Sequence, residues 1–221
     1  MFKFKYLFIL CSAFVMSCGG GYYMVLNDGL SNINLTQKSI ALLSVKISNQ
    51  NHPSYQLKFT GSVVCPQYEK CSNRKHYHYA NPPYKSEKDS FDEYLMSFGL
   101  ESGTYNIHHF GTYCRSFTAS AFADVPLNLK TEIKPNTISY LGHIDVTLRG
   151  IENDTEERAA ILPFLDAFIV GYSSGTFDVV VEDRYDYDMK LFISEYPELK
   201  DVKVEKAILP QWIRPENNPD R

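Results

Sequence analysis

Ile133-Lys134-Pro135-Asn136-Thr137-Ile138-Ser139-Tyr140-Leu141-Gly142-His143-Ile144-Asp145-Val146-Thr147-Leu148 carries the reading on which the fold class turns. Lys134-Pro135-Asn136 is turn chemistry. It lies between an apolar run ending at Ile133 and a long strand over Ile138 to Leu148. In a strand, alternate residues share a face, so Ile138, Tyr140, Gly142, Ile144, Val146 and Leu148 are expected on one side.

Outward from this stretch, short β-branched and apolar runs alternate with turn residues. Ile40 to Ile47 and Tyr55 to Val64 read as strands around the Asn49-Gln50-Asn51-His52-Pro53 turn. Tyr94 to Phe98 and Tyr105 to Ile107 flank Glu101-Ser102-Gly103, and Phe117 to Phe122 and Leu127 to Ile133 follow. Phe164 to Tyr172 and Thr176 to Val181 are paired across Ser173-Ser174-Gly175. Two short helices are expected. One starts at Asn153-Asp154-Thr155, and one of about three turns lies in Asp183 to Tyr196, stopped at Pro197. Val202, Val204, Ala207 and Ile208 suggest a closing strand. No βαβ alternation appears, so the chain reads as mainly β, an antiparallel β-sandwich with one or two short helices. Residues 66–93 carry three prolines and little apolar periodicity, and a stretch this long inside a domain is usually functional or partly disordered.

Glu101-Ser102-Gly103-Thr104-Tyr105-Asn106-Ile107, taken with Ile133 to Ile144, resembles a pattern in uncharacterised bacterial lipoproteins. There a Gly-x-Tyr strand precedes a Pro-Gly turn and a Tyr-Leu-Gly strand; here Asn136 stands in the glycine's place. The resemblance implies a transthyretin-like or carboxypeptidase-regulatory-like (transthyretin/Ig-like) sandwich in a bacterial cell envelope, and it implies no catalytic residues.

The N-terminus points to the same compartment. Lys3 and Lys5 precede an apolar run from Tyr6 to Phe14, too short for the ~20 residues of a spanning helix and suited to a signal peptide. Val15-Met16-Ser17-Cys18 then resembles the lipobox of bacterial lipoproteins, in which the cysteine is acylated and becomes the new N-terminus. Ordinary cleavage after Ser17 is the competing reading. On this division residues 1–17 are a signal peptide and 18–37 are lipid anchor and flexible tether. Residues 38–210 are then the β-sandwich domain and 211–221 a polar tail. Gly19 lacks the acidic character associated in some bacteria with inner-membrane retention, so the outer membrane is expected. Losing a leader with two lysines and no acid takes the formal charge from −4 to −6. That balance is unsuited to nucleic acid, whose phosphates require clustered Lys and Arg. The expected partners are the membrane, through the lipid, and a protein of the envelope.

The chemical candidates are few. After Cys18, Cys65, Cys71 and Cys114 remain, and an oxidising compartment favours pairing. Cys65–Cys71 is the preferred bridge, with either cysteine to Cys114 as the alternative. His76 and His78, two apart on one side of a strand, together with His108 or His109 are candidate metal ligands, which would make this a metal-binding periplasmic protein or enzyme. Gly171-Tyr172-Ser173-Ser174-Gly175 matches the Gly-x-Ser-x-Gly elbow, but the required helix after the serine and a later histidine are missing, so it reads as a hairpin turn. Glu182, Asp183, Asp186 and Asp188 suit a helix N-terminus better than a calcium loop. Tyr77, Tyr79, Tyr84, Tyr94, Tyr172, Tyr185 and Tyr187 suit either a recognition surface or strand-face packing. The expected function is therefore a non-enzymatic binding or structural role in the envelope, with no cofactor.

Overall fold

Strand β1 (Ser39–Asn49) is apolar on both faces, which places it inside a sheet with a layer on either side. The computed structural model describes residues 21–28, 35, 38–66, 71, 74–79, 84–85, 92–115, 120–160 and 170–215. The remaining strands are β2 (Lys58–Pro66), β3 (Lys75–His78), β4 (Tyr84–Lys85), β5 (Asp92–Leu100), β6 (Gly103–Arg115), β7 (Ser120–Ile133), β8 (Ile138–Gly150), β9 (Gly175–Glu182) and β10 (Val204–Lys206). Helix α1 spans Tyr185–Glu195, and a 3₁₀ turn at Pro197–Leu199 closes it.

The larger sheet runs β10-β8-β1-β5-β4, with β9 also paired to β8; the smaller runs β3-β2-β6-β7. The smaller sheet is antiparallel throughout. The larger is mixed, which corrects the expectation of purely antiparallel pairing. β1 and β10 both run parallel to β8. The reason is topological: between Asn49 and Ile138 the chain lays down β2 to β7 across both sheets, and it comes back into the larger one at Ile138 beside Ile40, at the end where β1 began. Alternation within a strand carries no information about its neighbour's direction.

Ala41, Leu43, Val45 and Ile47 of β1 face the smaller sheet and join Phe59, Ile107, Phe110, Val125 and Leu129 in one apolar cluster. Ile40 and Leu42 face the other way and pack on Met189, Leu191 and Phe192 of α1. The molecule therefore has three layers: smaller sheet, larger sheet and helix.

The expected parity of β8 is broken. Leu42 pairs with Tyr140 and Ser44 with His143, so two β8 residues oppose one of β1. Gly142 takes up the bulge with φ +115°, a backbone conformation that L side chains rarely adopt. Ile138 and Tyr140 consequently face α1, while Ile144, Val146 and Leu148 face the smaller sheet.

Three other expectations change. Asn153 starts a turn rather than a helix: its side chain accepts from Thr155 N, and Glu156 carries a salt bridge to Arg149. That hydrogen bond from Arg149 pushes the Glu156 carboxyl down to about 2. β7 is one strand where two were expected, because Pro126 sits on an edge strand whose outer side needs no donor. The tether and tail are not free throughout. Met24 and Leu26 are buried, Trp212 Nε1 donates to Pro126 O at 2.9 Å, and Arg214 pairs with Asp178.

Candidate functional site

The bulge at Gly142 determines where the most unusual polar chemistry of the fold lies. It turns His143 to the helix-facing side, next to Ser44 of β1, which interrupts the apolar run Ile40–Leu43. Asp188, in the first turn of α1, descends onto the same spot. Ser44, His143, Asp188 and Tyr140 are all fully buried (0% exposed).

The hydrogen bonds have one consistent direction. Arg184 Nη1 lies 2.9 Å from His143 Nε2 and can only donate, so Nε2 is the acceptor and the neutral imidazole carries its proton on Nδ1. Nδ1 then donates to Ser44 Oγ at 2.8 Å. Ser44 Oγ donates to Asp188 Oδ2, which also receives the Tyr140 hydroxyl at 2.5 Å. Arg184 Nη2 donates to Glu93 Oε1 of β5 at 2.9 Å, and its Nε stands 3.7 Å from Asp188 Oδ1. On the same face, Lys46 and Asp145 pair at 2.9 Å.

Electrostatics agree with this tautomer. Burial, reinforced by Arg184 and Lys46, pushes the His143 imidazole down to about 3, so it is neutral. Burial also raises the Asp188 carboxyl, against the hydrogen bonds from Ser44 and Tyr140 that hold it down. The network thus ties two central strands, β5 and the start of α1 together through one guanidinium and two carboxylates.

Serine, histidine and aspartate invite comparison with a catalytic triad, but the roles are inverted. A nucleophilic serine gives its proton to the imidazole, and the acid orients the imidazole's other nitrogen. Here the imidazole donates to the serine, the acid binds the serine, and Arg184 occupies the second nitrogen. With Ser44, His143 and Asp188 all buried and engaged with one another, the arrangement positions α1 against the sheet.

The residues singled out from sequence are placed elsewhere. His76 and His78 lie exposed on β3, and His109 lies on β6, with β2 between them; Val63 of β2 is in register with both His76 and His109. Two strand spacings put those histidines roughly 10 Å apart across the sheet. His108 and His109 meet through their Nδ1 atoms at 2.8 Å, and His109 is 3.9 Å from Asp124. Burial first, then His108 and more distant charges, lowers the His109 imidazole despite Asp124. Among the described residues no three His, Cys, Asp or Glu side chains gather as a metal would require.

Cys65 and Cys71 are bonded, with Cα atoms 5.2 Å apart, and Cys114 is buried with its thiol pushed up by desolvation. Ser173 is followed by β9 rather than a helix. The acidic run separates, with Asp183 on Lys206 outside and Asp188 inside. Tyr77, Tyr94 and Tyr172 are core residues; Tyr77 donates to Gly99 O and Tyr172 meets Thr112 Oγ1. Tyr187 is exposed beneath the Arg184 guanidinium. The side chain of Tyr84, all of residues 1–20 with Cys18, and the Phe164–Ile169 run lie outside what the structure describes.

The polar network is not among the residues the sequence singles out, but it leaves a signal there: Ser44, His143 and Asp188 each occupy an inward position in an otherwise apolar pattern.

Comparison with family models, with curated proteins and with solved structures gives no match for this chain. Among the described residues no helix is long and apolar enough to cross a membrane.

Proposed function

We propose that this chain is a lipid-anchored protein of the bacterial cell envelope, held through Cys18 to the outer membrane, with a non-enzymatic binding or structural role. The observation that carries the reading is the order of Lys3 and Lys5, the apolar run to Phe14, and Val15-Met16-Ser17-Cys18-Gly19. Acylation of a single cysteine with two or more chains would make attachment stable without a spanning helix. The burial of Ser44, His143 and Asp188 supports the non-enzymatic part, since those groups are engaged in holding α1. We further read the body as a transthyretin/Ig-like sandwich. Support comes from the shared core of the two sheets and the Gly103 to Ile107 strand, with the parallel β1–β8 pair as a departure.

Feeding labelled palmitate to cells producing the full chain or its Cys18→Ala variant tests the anchor. Label and membrane association are expected in the first and absent from the second. Equal labelling of the two, or an intact mass showing a bare Cys18, would remove the proposal.

A further inference from the structure

The segment read as a tether does not behave as one along residues 21–26. Tyr22 N donates to His76 O at 2.7 Å and His78 N donates to Tyr22 O at 3.0 Å, so Tyr22 forms a parallel bridge on the free edge of β3. Gly21 lies so close to the His78 ring that a Cβ there would stand 1.9 Å from it. Beyond Tyr23 the chain is held again: Ser97 N meets Met24 Sδ at 3.4 Å and Leu26 N meets Ser97 Oγ at 3.1 Å. The segment straps the edge of the smaller sheet to β5 of the larger one.

This changes the reach from Cys18 to the folded body. A 20-residue tether could extend to about 70 Å at full stretch. From Cys18 to Gly21 there are only three residue steps, roughly 11 Å at most. The head-group layer of a bilayer is about 5–8 Å thick on each side of the hydrocarbon. An acylated Cys18 therefore leaves the β3 edge in or immediately above the head groups.

That edge has the chemistry for such a place. Tyr22 and Tyr23 are 47% and 69% exposed, and Arg74, which precedes Lys75 at the start of β3, is exposed too. The Lys75 ammonium lies 6.0 Å from the Tyr22 ring and 5.8 Å from the Tyr105 ring. Tyrosines with an apolar ring and a wet hydroxyl favour the membrane–water interface, and Arg and Lys favour its phosphates. We propose that the β3 edge, through Tyr22, Tyr23, Arg74 and Lys75, rests on the phospholipid surface and fixes the orientation of the body against the membrane. This rests on the proposed acylation of Cys18.

The test uses the full chain made in a diderm host that acylates its lipoproteins. A nitroxide is placed at Tyr23→Cys or, as the control, at Phe122→Cys on β7, the opposite edge of the same sheet. Each labelled protein is put into vesicles of phosphatidylethanolamine and phosphatidylglycerol. The expected result is a several-fold fall in collision with a water-soluble nickel complex at position 23, relative to the same label on the soluble Cys18→Ala protein, and no change at 122. Unchanged collision at 23 in a protein whose intact mass shows acylated Cys18 would overturn the edge contact and leave the anchor standing. An unacylated mass would overturn the anchor itself.

Discussion

On β1, Ala41, Leu43, Val45 and Ile47 turn toward the smaller sheet and join a wide apolar cluster, whereas Ser44, beside Leu42 on the other face, turns toward α1 and meets a histidine and a carboxylate. Both faces are buried, but they are held by different physics. Apolar contact is non-directional and gives way gradually when a side chain shrinks. The polar face depends on every donor finding its acceptor, so it specifies where α1 sits and fails when one member is lost. An apolar helix face alone would leave the helix free to slide; the Arg184 fork and the two hydroxyls on Asp188 define one docking position.

The sharpest way to break this contrast is to remove one member of the network and then most of it. Arg184→Ala leaves Glu93 and Asp188 without their cation and is expected to cost about 3 kcal/mol in urea unfolding, the lower end for a buried pair because the guanidinium is a quarter exposed. Replacing Ser44→Ala, Tyr140→Phe, His143→Leu and Asp188→Leu together, with the Arg184–Glu93 pair kept, is expected to fall within about 1 kcal/mol of the wild type. A fourfold variant as unstable as the single one would show that the polar face contributes net stability beyond position.

The strap offers a second contrast, between neighbours in sequence. Met24→Ala empties a buried site and is expected to cost about 2 kcal/mol, while Tyr23→Ala, on the exposed side, should stay within about 0.5 kcal/mol. Equal melting temperatures for the two variants would mean that the strap contributes nothing to the body. At the bulge, Gly142→Ala places a Cβ 3.1 Å from Glu182 O at positive φ and is expected to cost about 1–2 kcal/mol. Far-ultraviolet circular dichroism should show helix loss at lower urea than strand loss, because the bulge is what aims His143 at α1.

How much of this was legible depends on what each feature leaves in the sequence. The mainly β character was readable because β1, β5 and β8 are runs of Ile, Leu, Val, Met and aromatics between turn residues. The α1 span was readable because acids open it and Pro197 closes it. The parallel β1–β8 pair was not, since strand direction depends on where the chain returns rather than on local pattern. Nor was the face of His143, because a bulge shifts parity by one residue and only a glycine in the middle of a strand hints at it. The distance between His76 and His109 was hidden for a different reason: β2 enters between β3 and β6, and spacing along the chain does not reveal an intervening strand.

An effect of the same size as that at Gly142 concerns protons. His143 is neutral in the fold, with its imidazole pushed down to about 3 by burial, Arg184 and Lys46. In the unfolded chain it titrates near 6.5. The unfolded state therefore takes up a proton that the folded state refuses, and stability is lost as pH falls from about 6.5 toward 3. Asp188 acts in the opposite sense: its raised carboxyl lets the folded state take a proton earlier than the unfolded one, which offsets part of the loss. Glu93, Lys46, Asp145 and Arg184 face the same group from β5, β1, β8 and the start of α1, and their charges are paired there. Between pH 7 and 5 the wild type is expected to lose about 1–2 kcal/mol more than His143→Leu, read as the difference in urea midpoints at the two values. Equal losses would mean that the imidazole is charged inside the fold, which would reverse the direction of the Arg184–His143–Ser44 chain and with it the reason α1 docks where it does.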